Sequence, residues 1–330
     1  MRNSKKLMVA LLFIGVSIVV TGVLNYMLLP NSIARVKLHN LRTNKYDDII
    51  IGTSHGLSTI NPEVMDEKTG RKSTNLCLPD EHLIDSYYLV KEACRTNKPT
   101  RVIYELDPSY WSTPQNNGAN SVYIYQNYPM STVKLEYFKA KIMEMDWRVT
   151  LAPWFYYRDQ YKSIVKNVKM KTSEAYKKYS AKALSTGGQQ YNAEGYMYQI
   201  VTSETNKGTL NFILWDKRNI QSVEKKYFKK LVSLCKKEGM ELVVITTPVP
   251  KETMEKYPEA YKSANEYFTK IMKSYGLKYK NFNCVRSEKE QKGLKDYVDY
   301  EGHMTGEAGN EFSATLGNYL KKQNITSSKK

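Results

Sequence analysis

Three residue types that together can activate a hydroxyl stand at two places in this chain. Residues 52–56 read Gly-Thr-Ser-His-Gly, a small-residue turn centred on Ser54. Far downstream, residues 296–309 read DYVDYEGHMTGEAG, in which Asp299 precedes His303 by four. A serine hydroxyl is a poor nucleophile until an imidazole takes its proton, and the imidazole needs a carboxylate to fix its tautomer. The chain has four histidines, His39, His55, His82 and His303. His39 lies beside an apolar N-terminal run, and His55 adjoins Ser54, where its backbone direction diverges from the serine's. His303 is therefore the candidate base, with Asp299 as the candidate acid and Asp296 as the alternative. Singly, Ser54 reads as a helix cap, His303 as a packed ring and Asp299 as a turn residue. Together they are the three parts of an activated-nucleophile system.

The elements that would position them follow from periodicity. YDDIIIG at 46–52 reads as a buried strand of the parallel-sheet kind, and RVIYELD at 101–107 and ELVVITT at 241–247 read as further strands. A short strand is expected near 278–283. Helices are expected over about 82–95, 222–238 and 259–275, each with one apolar stripe, and a last helix starts after Thr305 as N-cap. Strands alternating with amphipathic helices give an α/β sandwich around a parallel sheet. Ser54 and His303 then fall in loops at the C-terminal edge of that sheet, where such folds bind ligands.

Residues 7–29 contain no charged side chain. As a helix they span roughly 35 Å, enough to cross a bilayer. Arg2, Lys5 and Lys6 precede them, which places the N-terminus in the cytoplasm and the main domain outside it. The expected organisation is a cytoplasmic tip and anchor over 1–30 and an extracytoplasmic domain over 31–330. An aromatic, lysine-rich and largely helical insertion over about 109–215 interrupts that domain. The net charge of +17 favours anionic partners, and extracytoplasmic placement removes nucleic acid from that class. Membrane lipid and an anionic surface polymer remain. The four cysteines fit neither a disulfide framework nor a metal site, and no phosphate-binding loop occurs, so no cofactor is expected.

The serine after the first strand, with acid and base together in one C-terminal loop, does not match the order of an α/β-hydrolase. It resembles the SGNH/GDSL hydrolase superfamily, flavodoxin-like three-layer sandwiches with a nucleophile serine after strand one and a D-x-x-H motif near the C-terminus. The membrane-anchored branch is the most similar, namely the teichoic acid D-alanyl-transfer and polysaccharide O-acetylation proteins. The N-terminal apolar run, the G-x-S opening, YELDPSYW at 104–111 and TTPVPKE at 246–252 carry that likeness. It implies an O-acyltransferase working with a membrane-bound O-acyltransferase on a cell-surface polysaccharide or teichoic acid. A carbohydrate esterase using the same residues, or a non-catalytic accessory protein, are the alternatives. Two departures stand out: the spacing is D-x-x-x-H, and there is no G-x-N-D block to supply an asparagine oxyanion donor. The expected substitutes are backbone N–H groups near Gly52, Ser54 and Leu78, and the side chain of Asn75.

Overall fold

The computed structural model describes residues 2–115, 124–144, 147–203, 205, 208, 215–284 and 292–327. In chain order its elements are α1 (Arg2–Leu28), α2 (Ile33–Thr43), β1 (Asp48–Ile51), α3 (Ser54–Thr59), α4 (Pro62–Thr69), β2 (Ser73–Asn75), α5 (Leu83–Thr96), β3 (Arg101–Glu105), α6 (Pro108–Ser112), α7 (Thr132–Glu144), α8 (Trp147–Leu151), α9 (Ile164–Thr172) and α10 (Glu174–Lys177). There follow β4 (Gln189–Tyr191), β5 (Met197–Gln199), α11 (Ser222–Glu238), β6 (Glu241–Thr246), α12 (Lys251–Lys256), α13 (Pro258–Ser274), β7 (Lys278–Asn281) and α14 (Gly306–Ser327). They form two compact units, one of residues 36–115 with 181–330, the other of residues 1–35 with 116–180.

The first unit is built on a five-stranded sheet of order β2-β1-β3-β6-β7, every pairing parallel. Counted along the chain this is the 2-1-3-4-5 order of flavodoxin-like sandwiches. The isoleucines of β1 are wholly buried because helices cover both faces. On one face Ile50, Ile103, Val243 and Ile245 meet Leu57 of α3, Met65 of α4, and Phe312, Leu316 and Leu320 of α14. Helices α5 and α11 carry Tyr88, Leu89, Tyr227, Phe228 and Leu231 as buried residues, and Trp111 stacks edge-on between Phe228 and Phe268 of α13. The N-terminal ends of β1 and β3 are clamped by a buried ion cluster. Asp48 accepts from Arg71 at 2.6 Å and from Arg101, which is 2% exposed.

Helix ends fall where local chemistry stops them. Gly239 adopts φ +69° after α11, and its N–H returns to the Cys235 and Lys236 carbonyls. Several elements have no counterpart in the sequence pattern. Strand β2 is Ser-Thr-Asn, polar yet fully buried, because Asp66 holds Ser73 and the Asn75 amide is spent on backbone groups. Helix α2 occupies the basic segment after Pro30. The segment 109–215, expected to be largely helical, contains the antiparallel pair β4–β5, which belongs to the sheet unit. Tyr196, just before β5, and Met197 are buried, and Tyr196 donates its hydroxyl to the Gly306 carbonyl at 3.1 Å.

The second unit joins α1 to residues 116–180. Residues Ser4–Leu28 of α1 are long and apolar enough to cross a membrane, a property that a signal sequence shares. Its large side chains from Leu7 to Val23 are exposed.

Candidate active site

Ser54 opens helix α3 directly after β1, and the connecting turn explains its composition. Gly52 takes φ +145°, and a Cβ there would lie 2.6 Å from the Glu105 carbonyl oxygen. A Cβ on Gly56 would lie 2.6 Å from Cys77 Sγ. Thr53, not Ser54, is the N-cap, since its hydroxyl accepts from the His55 N–H. The serine hydroxyl is thereby left for another partner.

That partner is His303, whose Nε2 lies 2.7 Å from Ser54 Oγ. Its Nδ1 lies 2.6 Å from Asp299 Oδ2. The other Asp299 oxygen accepts from the N–H groups of Glu301, Gly302 and His303 at 3.0, 3.1 and 3.2 Å. Burial raises the pKa of Asp299, but the His303 contacts and the His55 charge outweigh it and bring it down to about 2. The carboxylate is therefore ionised and can only accept, so His303 Nδ1 carries the proton. Nε2 is then the lone-pair side and accepts the serine O–H. The loop is fixed at both ends: Val298 N donates to the His303 carbonyl, and Thr305 N to that of Asp296. Asp296 is thus placed as a main-chain acceptor in this loop, while Asp299 presents its carboxylate to the imidazole.

A second histidine reaches the site. His55 donates Nδ1–H to Asp107 at 3.1 Å, and its ring meets that of His303 edge-on, centroids 4.7 Å apart. Burial works against a charge on His55, but Asp107 and Glu105 favour it and raise its pKa to about 9. Glu105 is itself buried beneath the turn, where Oε2 accepts from both the N–H and the hydroxyl of Thr53 at 3.0 Å. Sequence reasoning set His55 aside and passed over Glu105 and Asp107. The only signal for them was the acidic end of RVIYELD, and its meaning depends on register: pairing Ile51 with Tyr104 puts Glu105 beside Gly52.

The expected oxyanion donors fare differently. Asn75 gives its amide hydrogens to the carbonyls of Gly56 and Ile60, both at 2.8 Å, and accepts from Cys77 N. With both hydrogens committed inside the core, it offers none to a ligand. Leu78 N donates to the Gly52 carbonyl at 3.2 Å, so neither its N–H nor that oxygen faces a substrate. Gly52 serves the close approach of Glu105 instead. The Ser54 N–H, at the open first turn of α3, is the candidate that remains.

No protein-family model matches the chain, and no curated protein is similar to it in sequence. Among the solved structures similar to it are three at 10% identity. One is a protein assigned to the lipolytic G-D-S-L family from Desulfitobacterium hafniense (84% of this chain and 98% of that one, TM-score 0.38). Another is assigned as an acylhydrolase from Bacteroides fragilis (88% and 96%, TM-score 0.41). The third is a GDSL-like lipase from Bacteroides thetaiotaomicron (89% and 100%, TM-score 0.39). The strand order and the Ser54–His303–Asp299 geometry stand on this chain's own coordinates.

Proposed function

We propose that this chain is a membrane-anchored, extracytoplasmic serine acyltransferase. It loads an acyl group of the acetyl or D-alanyl type onto Ser54 and passes it to a hydroxyl of a cell-surface polysaccharide or teichoic acid, the donor being supplied by a membrane-bound O-acyltransferase. The observation that carries the reading is the continuous line from Ser54 Oγ through His303 to Asp299.

In the first half-reaction His303 Nε2 takes the Ser54 proton as Oγ bonds to the acyl carbon, and the same proton returns to the leaving oxygen as the donor bond breaks. The second half runs in reverse. An acceptor hydroxyl gives its proton to His303, attacks the ester, and Ser54 leaves reprotonated. Asp299 stays ionised and holds the imidazolium that forms at each step. The Ser54 N–H and the His55 cation supply positive potential to the oxyanion in place of an asparagine. Water in place of the sugar makes the same machinery an esterase, and hydrolysis of simple esters is its side reaction.

The test is intact-mass analysis of the purified full chain in detergent with p-nitrophenyl acetate. One acetyl group should appear on the wild type and none on Ser54→Ala. A carbohydrate acceptor should then discharge the adduct faster than buffer does. An adduct that persists in Ser54→Ala refutes the site, and discharge indifferent to every sugar refutes transfer in favour of hydrolysis.

A further inference from the structure

The C-terminal end of α1 is held by side chains from far along the chain. Asn167 Nδ2 donates to the carbonyls of Met27 and Leu28 at 3.2 and 3.1 Å. Lys171 Nζ donates to those of Asn25 and Tyr26 at 3.5 and 2.5 Å. These are last-turn carbonyls, of which that of Asn25 also accepts from the Leu29 N–H at 3.1 Å, and a cation there meets the negative end of the helix dipole. In return Asn25 Oδ1 accepts from Trp154 N at 2.8 Å. Leu24, Leu28 and Leu29 form an apolar cluster with Trp154, Tyr157 and Ile164. Residues 24–29 are thus part of the folded unit's core, and cutting the chain between α1 and this core would strip both.

Length fixes where that socket lies. Counting from Lys6 at 1.5 Å per residue, a hydrocarbon layer of about 30 Å is crossed by about residue 26. The socket therefore sits at the headgroup boundary, where tyrosine and tryptophan are favoured. Its outward side chains suit that layer. Leu151, Tyr156, Tyr161 and Val165 are 49, 37, 61 and 77% exposed. On α9, Asn167 and Lys171 face α1 while Lys166 and Lys169 are exposed, as is Lys162 just before it. Residues 116–180 carry eleven Lys and Arg against five Asp and Glu.

We propose that residues 151–171 form a collar that retains α1 as a permanent anchor and rests on an anionic phospholipid surface. This deepens the anchored reading above and depends on α1 spanning the bilayer. Apolar and aromatic side chains enter the headgroup layer, and Lys162, Lys166 and Lys169 meet lipid phosphates.

The experiment places a photo-crosslinking phenylalanine analogue at Tyr161 or Val165 of the full chain, in nanodiscs of phosphatidylcholine doped with phosphatidylglycerol. Intact mass of the protein recovered from cell membranes should include residues 1–30. After illumination each probe should add one phospholipid, with phosphatidylglycerol enriched several-fold over its share. The Lys162→Glu/Lys166→Glu/Lys169→Glu variant should lose that enrichment. A recovered chain that lacks its N-terminal segment overturns the anchor and the collar together. A full-length chain with no lipid adduct, or one crosslinked to a second copy, leaves the anchor standing and refutes the collar. Adducts without enrichment refute the anionic preference.

Discussion

Replacing Asp299 by Asn tests the site at its most informative atom. The three backbone N–H groups of Glu301, Gly302 and His303 all point at Asp299 Oδ1. An asparagine can keep them only by using its carbonyl oxygen there, which turns its NH2 toward His303 Nδ1. The imidazole must then accept on Nδ1 and carry its proton on Nε2, aimed at Ser54 Oγ. In that tautomer it cannot take the serine proton. Flipping the amide would restore the tautomer but forfeit three hydrogen bonds worth ~1 kcal/mol each. That restricts the competent form to about one molecule in a hundred or fewer. The structure thus sets a floor of ~10²-fold on the loss of acylation rate, and tautomer inversion in serine triads reaches ~10⁴. Asp299→Ala behaves differently. Its imidazole samples both tautomers, so it should acylate faster than Asp299→Asn while unfolding at lower temperature, because the loop loses its acceptor. Acetyl-adduct formation timed by mass spectrometry gives the rates, and thermal denaturation gives the stabilities. Asp296→Asn is the control and should lie near wild type. Acylation of Asp299→Asn within tenfold of wild type, or a rate above that of Asp299→Ala, refutes the argument.

Gly52→Ala should destabilise the fold by ~3 kcal/mol or more, measured by urea denaturation, because a Cβ would meet the Glu105 backbone at 2.6 Å in a positive-φ residue. Asp48→Ala removes the carboxylate from buried Arg101 and should cost ~3–5 kcal/mol in the same assay; a loss under 1 kcal/mol, of the order of a surface pair, would refute the buried clamp. The pKa of His55, raised to about 9, predicts a pH dependence of stability. A group held above its unfolded value of ~6.5 contributes fully below that pH and loses its contribution as pH rises through 9. Melting temperature should therefore fall between pH 6.5 and 9, and His55→Gln should flatten that slope; an unchanged slope would mean that His55 is uncharged.

The parts of the molecule legible in the sequence were those that announce themselves locally. Helix α11 runs over Ser222–Glu238 as its apolar stripe and Gly239 demanded, and β3 and β6 sit in their apolar runs. Ser54, His303 and Asp299 were readable because three rare requirements coincided, and the structure brings those residues into hydrogen-bond contact. What stayed hidden was relational. Strand β2 has no apolar run to betray it, and it is a strand because its Asp48–Ser73, Ile49–Thr74 and Ile50–Asn75 pairings and the Asp66 contact make it one. Asn75 looked like a free amide until its neighbours were in place. His55 looked misdirected because a serine and the next residue diverge in a strand, whereas at the start of a helix both can border one cleft.

Ser54 falls early in the sequence of the sheet unit and His303 late in it, which has a consequence for biosynthesis. Ser54 and His303 stand 249 residues apart. Helix α14, which follows the base, locks onto the serine's own segment: the Ser313 hydroxyl donates to the Thr59 carbonyl at 3.1 Å and accepts from Asn61 N at 2.7 Å. On the mechanism proposed above, a growing chain carries an inert serine until α14 has been made and has docked. The same mechanism predicts that premature termination or proteolytic loss of that helix leaves a silent protein, the order of synthesis itself acting as a safety catch.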